Sequence, residues 1–269
     1  MTVPFAKAHA YGNDFLYVEQ ERVHGAADAL LAREMCDRHS GIGADGLILY
    51  TRTPSGAMMQ LLNADGSRAE VSGNGVRALA ALLLLDVPHV EAKIAIETEA
   101  GVKRLTRLER TGGRQTFRAA MGAPEDVQQS TIQIDDETLS IVTLNIGNPQ
   151  CIVLGPLPDA DRFVRFGRAL EKNARFPNGT NVEFVEVETP SRLRILIWER
   201  GVGPTTSSGT GSCGSLVAAA AFGGAARDAD VESPGGTQRV EWRIDNVYLT
   251  GWAEVVSTGE WLRQIPRTP

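Results

Sequence analysis

The sequence is poor in cysteine and histidine, which limits the chemistry that the chain can perform. Its 269 residues include three cysteines, Cys36, Cys151 and Cys213, and four histidines. The cysteines form no CxxC pair, and the histidines have no metal-like spacing. The sequence therefore predicts neither a disulfide framework nor a metal site.

Long apolar runs and clusters of positive charge are also missing. The longest strictly apolar run, Ala78 to Leu85, has eight residues, whereas a membrane helix needs about 20. No run of five Lys or Arg residues occurs, and the net charge is −6. The first residues contain no apolar core of signal-peptide length. We therefore expect a cytoplasmic protein that binds neither a membrane nor a nucleic acid.

The sequence does contain an internal repeat. Ser72-Gly73-Asn74-Gly75 precedes one Ala/Leu-rich run, and Ser208-Gly209-Thr210-Gly211 precedes another, 136 residues later. Three further pairs of landmarks keep this offset to within one residue: Gly12-Asn13 with Gly147-Asn148, Gly43-Ala44-Asp45 with Gly179-Thr180-Asn181, and Met58–Asn63 with Arg194–Glu199. Four matches in the same order indicate two homologous halves, each with its own core.

Local patterns within the repeat predict an α/β (α+β) fold of two pseudo-symmetric domains. Segments such as VEFVEV (182–187) alternate as half-buried strands do. The two Ala/Leu runs have no polar stripe, which is typical of a central helix surrounded by a curved mixed sheet. We place the first domain at residues 1–113, joined by 258–269, and the second at residues 114–257, with Arg104–Gly122 as the connecting segment.

The two Ser-Gly-x-Gly turns are the strongest candidates for a functional site. Each precedes a helix, whose free N–H groups and dipole attract an anion such as a carboxylate. Ser72 and Ser208 would then flank the ligand. Inversion of a stereocentre needs a base on one face and an acid on the other, and a duplicated half supplies one of each. A single turn of this kind is more often only a helix N-cap, which is the alternative interpretation.

Polar residues at the ends of the predicted strands also occur in pairs. Asn13 corresponds to Asn148, Asn63 to Glu199 and Asp45 to Asn181, and Arg200 follows Glu199. Amides and one Glu-Arg pair suit a small amino acid that carries both charges. The alternatives are a turn residue for each Asn and a surface ion pair for Glu199-Arg200. His9 is close to Gly12-Asn13, and its role stays open.

These strings resemble the diaminopimelate epimerase family across nearly the whole chain. The motifs are KAHAYGNDF, NADGS, SGNGVR, GNPQC, FPNGTNVEF and WERGVGPT, in the order and spacing of the family. The resemblance implies two similar α/β halves with the site in the cleft between them. It also implies interconversion of LL- and meso-diaminopimelate, without pyridoxal phosphate, metal or any other cofactor, in the biosynthesis of lysine and cell-wall peptide. The expected partner is a small amino-acid substrate, and a homodimer is the commonest oligomer.

The resemblance also assigns roles to individual residues. Ser72 and Ser208 occupy the positions of the two catalytic cysteines, and Asn13 would lie near the reacting centre. The backbone N–H groups of two pairs would hold the α-carboxylate: Gly73 with Asn74, and Gly209 with Thr210. The distal end of the substrate would be held by Asn63, Asn148, Asn181, Glu199 and Arg200.

Several positions depart from the family. Both cysteines are serines, Gln150 stands where His is common, Gly46 where Gln is common, and Pro204 in place of a Glu. A thiol has a pKa near ~8.5 and an alkyl hydroxyl is far less acidic, so a serine needs a neighbouring base. Three hypotheses therefore stay open: an amino-acid epimerase, an isomerase or dehydratase of another small acid on the same scaffold, and a non-catalytic amino-acid-binding protein.

Overall fold

The computed structural model of the chain describes residues 2–23, 28–69 and 72–262, and it divides into two compact units. The first unit comprises Met1–Ala119 with Trp252–Pro269, and the second comprises Ala120–Gly251. The boundaries expected from the sequence differ from these by a few residues. His24 and the last seven residues of the predicted 258–269 segment lie outside the described residues.

The described residues of the first unit form a mixed sheet with two α-helices and the short 3-10 helix Gln20–Arg22. Its strands are β1 (Val3–Ala10), β2 (Asn13–Glu19), β3 (Gly46–Thr53), β4 (Gly56–Asn63), β5 (Arg68–Ala69), β6 (Lys93–Thr98), β7 (Gly101–Thr111) and most of β8 (Arg114–Gly122); its helices are α1 (Asp28–Cys36) and α2 (Gly73–Leu83). Strands β2 and β3 are parallel, as are β4 and β6. The expected connecting segment, Arg104–Gly122, forms the β7–β8 hairpin, and the chain passes to the second unit within β8.

The second unit repeats this arrangement. Its strands are β9 (Glu125–Ile134), β10 (Glu137–Asn145), β11 (Pro149–Leu154), β12 (Asn181–Thr189), β13 (Arg192–Glu199), β14 (Gly203–Thr205), β15 (Asp228–Ser233) and β16 (Gly236–Trp242); its helices are α3 (Ala160–Glu171) and α4 (Gly209–Phe222). The last strand, β17 (Val247–Trp261), begins in this unit and ends in the first, where it pairs with β1.

The pairing pattern confirms the predicted fold class. The parallel pairs β11–β12 and β13–β15 occupy the same places in the second unit as β2–β3 and β4–β6 do in the first. The register corrects one detail of the repeat. Phe15 pairs with Gly46, and Gln150 pairs with Asn181. Because Asn13 corresponds to Asn148, Asn181 corresponds in the repeat to Gly46 and not to Asp45. The segment between the landmark glycine and the strand is one residue longer in the first unit than in the second.

Each unit encloses one apolar helix, as the sequence predicts. Most residues of α2 and α4 are buried. Both helices are rich in alanine, which favours a helix, and in leucine or valine, which fill the core around it. The α4 helix belongs to an apolar cluster that includes Ile152, Val185 and Ile197. Among the described residues, no helix has both the length and the apolar character needed to cross a membrane.

Candidate functional site

In the first unit, Ser72 caps the helix that follows it. Its backbone is extended, and its Oγ accepts a hydrogen bond from the N–H of Gly75 at 3.1 Å. A Cβ on Gly75 would lie 2.8 Å from the Cδ1 of Ile48, so a larger residue here would displace the terminal methyl group of Ile48. The hydroxyl of Tyr17 donates to the Gly75 carbonyl at 3.0 Å. Burial, with a smaller contribution from Asp14, raises the pKa of Tyr17, which keeps it a neutral donor that fixes the turn.

Asn13, predicted near the reacting centre, lies beside Asn74, predicted to hold the α-carboxylate. Asn74 Nδ2 donates to Asn13 Oδ1 at 3.3 Å, and Asn13 Nδ2 donates to Asp45 Oδ2 at 2.8 Å. The buried Arg77 guanidinium donates to Asn74 Oδ1 at 3.3 Å. Arg38 in turn binds Asp45 at 2.8 Å. This chain of contacts fixes the orientation of both amides and reaches the surface at Arg38.

The carboxylate next to Asn13 is held ionised by two cations. Arg38 lies 2.7 Å from the Asp14 carboxylate, and Lys7 lies 2.9 Å from it. Burial opposes the charge of Asp14, but the hydrogen bonds from Arg38 and Lys7 outweigh burial and lower its pKa. The Asp14 carboxylate therefore anchors the start of β2 and is already paired.

His9 belongs to the turn between β1 and β2. Its Nδ1 accepts a hydrogen bond from the Gly12 N–H at 3.3 Å, and its Nε2 lies 3.9 Å from Glu254. Tyr11, which lies between His9 and Gly12 in the sequence, has a left-handed φ of 55° and packs on Trp252 with ring centroids 4.6 Å apart. His9 therefore stabilises a strained turn one residue from Asn13, which is a positioning role.

In the second unit, Ser208 caps α4 in the same way. Its Oγ accepts from the Gly211 N–H at 3.1 Å, and the residue is buried. The Ser212 hydroxyl donates to the Ser208 carbonyl at 2.7 Å. Gln238 Nε2 lies 3.2 Å from Ser212 Oγ and 3.4 Å from Ser207 Oγ. The hydroxyl groups of Ser207, Ser208 and Ser212 are therefore buried around the turn that leads into Gly209 and Thr210.

A carboxyl group that the sequence reasoning missed lies under this turn. A Cβ on Gly211 would lie 2.5 Å from Glu183 Oε1, and one on Gly214 would lie 3.3 Å from Gln150 Cγ. The two glycines thus let both side chains lie against the helix. Burial and the charge of Glu199 raise the pKa of Glu183 well above its usual value. The sequence offers no signal that distinguishes Glu183 from the accessible Glu186 on the same strand.

The groups predicted to bind the distal end of the substrate divide into three kinds. Glu199 is half-buried, and burial raises its pKa, so its carboxyl is a candidate for proton transfer. Asn181 donates to the Pro149 carbonyl at 3.1 Å and accepts from the Arg200 N–H at 3.0 Å, which joins β11 to the end of β13. Asn63 is exposed and donates to Ser67 Oγ at 3.0 Å.

The remaining predicted residues have distinct environments. The exposed Arg200 guanidinium donates to the Asn178 carbonyl at 3.3 Å, and the half-buried Asn148 contacts the Gln150 amide at 2.7 Å. A Cβ on Gly46 would lie 2.6 Å from the Leu62 carbonyl oxygen, so a side chain there requires a backbone shift. Cys213 is fully buried in the core, which excludes it as a substitute for Ser208.

Titratable and sulfur-containing groups are not gathered into a metal site within residues 2–23, 28–69 and 72–262, where no group of three or more His, Cys, Asp or Glu residues could hold an ion. The arrangement instead provides, in each unit, a serine-capped helix start beside oriented amides. Such a helix start can bind a carboxylate through its free N–H groups.

Comparison with known proteins identifies the family. The family model for diaminopimelate epimerase matches residues 5–127 and 142–256. The diaminopimelate epimerase of Desulforudis audaxviator is 36% identical over 96% of this chain and 99% of its own length. That of Pelotomaculum thermopropionicum is 37% identical over 96% and 98%, respectively.

A solved structure shares the fold at much lower sequence identity. The hydroxyproline epimerase of Agrobacterium vitis has a TM-score of 0.74, is 15% identical, and aligns over 100% of this chain and 94% of its own. The sequence identity to the two epimerases extends over nearly the whole chain, and the shared fold is consistent with it. The chain therefore belongs to the diaminopimelate epimerase family and is an isomerase of the epimerase type.

Proposed function

We propose that this protein interconverts LL- and meso-diaminopimelate by removing the α-proton and returning one to the opposite face. The observation that carries the proposal is the duplicated serine-capped turn, present once in each unit with its own oriented amides. Epimerisation needs one proton acceptor and one proton donor, so a duplicated site matches its demands. The substrate's second amino-acid end accounts for Asn63, Asn148 and Arg200.

Binding of the α-carboxylate would use the first turns of α2 and α4. The N–H groups of Gly73, Asn74, Gly209 and Thr210 belong to the first helical turns, where backbone donors lack partners within the helix. A carboxylate that receives such hydrogen bonds can accept the negative charge that develops when the α-proton leaves. No other electron sink is needed for this step in the proposal.

Proton transfer would use the serines differently from cysteines. Each Oγ accepts a hydrogen bond from the backbone, which leaves the hydroxyl proton available for donation. A serine hydroxyl is too weakly acidic to serve as a base by itself, so an acceptor must come from another group. In the second unit, Glu199 suits this role because its raised pKa brings a carboxyl closer to neutrality.

Incubation of the purified protein with LL-diaminopimelate in D₂O tests the proposal. We expect deuterium at the α-carbon and the appearance of the meso isomer, both followed by NMR. The Ser72→Ala/Ser208→Ala double variant is the control and should lose both signals. Absence of both deuterium and meso product with the unaltered protein would contradict the proposal.

A second candidate function is elimination from a β-substituted amino acid. The observation that favours it is the asymmetry of the two units, since Asn63 corresponds to Glu199 and cannot act as a base. Removal of one proton followed by loss of a β-substituent needs a single base. A panel of β-hydroxy and β-chloro amino acids, assayed for keto-acid formation, tests this activity. A panel without product, together with α-deuteration of diaminopimelate, decides for the epimerase.

A further inference from the structure

The Gln150 amide connects two groups of very different character in the second unit. One end of it lies 2.7 Å from the Asn148 side-chain amide. The other end lies 2.9 and 3.0 Å from the two carboxyl oxygens of Glu183. Glu183 is fully buried, whereas Asn148 is half-buried. A continuous chain of hydrogen bonds therefore runs from an interior carboxyl to a side chain with an accessible end.

Only two hydrogen-bonding patterns satisfy this chain, and they differ by one proton. When Glu183 is ionised, it can only accept, so the Gln150 NH₂ group faces it and the Gln150 oxygen accepts from the Asn148 NH₂ group. When Glu183 is protonated, its O–H donates to the Gln150 oxygen. The Gln150 NH₂ group then donates to Asn148 Oδ1. The Asn148 oxygen is therefore free in the first pattern, and its NH₂ group is free in the second.

The surroundings of Glu183 favour the protonated pattern. Burial raises the pKa of this carboxyl, and the charge of Glu199 on β13 raises it further. On β11, the thiol of Cys151 has its pKa raised to about 12 by burial and by the charge of Glu183, so it stays neutral and does not stabilise an ionised Glu183. The α4 helix, which covers Glu183 at Gly211, contains no charged side chain.

We propose that Glu183 and Gln150 form a proton-dependent amide relay, which determines whether Asn148 offers an NH₂ group or a carbonyl oxygen to the substrate. The proposal rests on the proposed function, in which Asn148 contacts the distal end of the amino acid. With Glu183 protonated, Asn148 offers its NH₂ group, which binds a carboxylate. With Glu183 ionised, Asn148 offers its oxygen, which repels the same carboxylate. Glu183 is thus a positioning residue that acts through Gln150.

Calorimetric titration with meso-diaminopimelate across a series of pH values tests the relay. The unaltered protein should lose affinity by about tenfold or more as the pH rises through the Glu183 transition, because a hydrogen bond to a charged group is lost. Glu183→Gln replaces the titratable carboxyl with an amide that neither gains nor loses a proton in this pH range. This variant should therefore show no such transition in affinity.

Two further variants make the test specific. Gln150→Met keeps the length of the side chain but removes both polar ends, so it should bind more weakly and also lose the transition. Glu186→Gln changes a half-exposed acid on the same strand, paired at 3.6 Å with Arg194, and should keep the transition of the unaltered protein. An identical pH dependence in the unaltered protein and in Glu183→Gln would overturn the relay.

Infrared difference spectroscopy of the ligand-free protein separates failure of the relay from failure of the proposed function. If diaminopimelate does not bind at all, the proposed function fails. The relay still requires a protonated-carboxyl band at neutral pH that Glu183→Gln removes and Glu186→Gln retains. Absence of this band would overturn the relay whatever the ligand.

Discussion

The two units place different side chains beneath the same serine-capped turn. In the first unit, Phe15 on β2 and Ile48 on β3 lie at the positions that Gln150 and Glu183 occupy in the second. Both pairs are buried. An apolar support in one unit thus corresponds to an amide and a carboxyl in the other, so the duplicated scaffold tolerates either kind of interior.

The placement of charge is reversed elsewhere in the units. The first unit has its ionised groups near Asn13, where Arg38 binds both Asp14 and Asp45. In the second unit, the corresponding region contains Asn181, whose amide binds only backbone groups among its described contacts. Paired ionised groups thus lie at the start of β2 in the first unit, whereas in the second unit a carboxyl lies beneath the helix. Proton chemistry is therefore expected to depend more on the second unit.

The largest effect should follow from the loss of Glu199. Glu199→Gln keeps the shape of the side chain but removes the base, so α-proton exchange in D₂O should fall by about 10²–10⁴-fold. Asn63→Ala, at the corresponding position of the first unit, should weaken substrate binding more than it slows exchange. The rates come from NMR, with Glu186→Gln as the control. A Glu199→Gln protein as fast as the unaltered one would place the base elsewhere.

The next effect concerns the glycine at the third helical position of each turn. In Gly211→Ala the new methyl group would meet the Glu183 carboxyl at 2.5 Å, and this overpacking should lower the free energy of unfolding by about 1–3 kcal/mol. Gly75→Ala should cost less, since the terminal methyl of Ile48, at 2.8 Å, can rotate. Urea unfolding measures both. An equal loss of unfolding free energy in the two variants would show that the Glu183 carboxyl moves aside as easily as the Ile48 methyl group.

The two helix caps should differ less. Removal of the hydroxyl in Ser208→Ala or Ser72→Ala leaves the N–H of Gly211 or Gly75 without its acceptor, at a cost of about 0.5–2 kcal/mol each. Ser208→Ala should lie at the upper end, because Ser208 is buried while Ser72 is half-exposed and water can replace its oxygen. Thermal unfolding of both variants, with the two Ser→Thr replacements as cap-retaining controls, tests the order.

The smallest effect is on the pH dependence of stability, and the two units should show opposite signs. The pKa of Asp14 is lowered on folding, so its contribution is present above the unfolded pKa and is lost as the pH falls through the folded one. The pKa of Glu183 is raised, so the folded form keeps its proton longer, and stability falls as the pH rises from the unfolded pKa towards the folded one.

Two variants separate these contributions. Asp14→Asn should flatten the acid side of the stability profile, and Glu183→Gln should flatten the neutral and alkaline side. Each slope is at most about 1.4 kcal/mol per pH unit, the value for one proton. Denaturant unfolding at a series of pH values provides the profiles. A Glu183→Gln profile with an unchanged alkaline side would mean that Glu183 is ionised in the folded protein.

The repeat and the central helices were predictable from the sequence because they depend on local patterns. The Ser-Gly-x-Gly turns recur at a constant offset, and an apolar run without a polar stripe indicates a buried helix. These features need no knowledge of which strands are neighbours.

Glu183 was not predictable, because its role depends on pairing between distant strands. Glu183 and Glu186 are three residues apart in VEFVEV and therefore point to opposite faces of the strand, and the sequence does not say which face is buried. Parallel pairing with β11 on one side and cover by α4 bury the first acid, while Glu186 stays accessible. The one-residue shift that places Asn181 opposite Gly46 likewise appears only in the register.

The pairing of β1 with β17 has a consequence for synthesis on the ribosome. Val3 pairs with Trp261 and His9 with Glu254, so one edge of β1 has no partner until β17 has been synthesised. The second unit is complete in sequence before that partner emerges, and can fold first. Until then β1 has an unpaired edge, which other chains can join. Nascent chains stalled before Trp252 should therefore be the aggregation-prone species, and a chaperone that covers this edge should raise the yield of native protein.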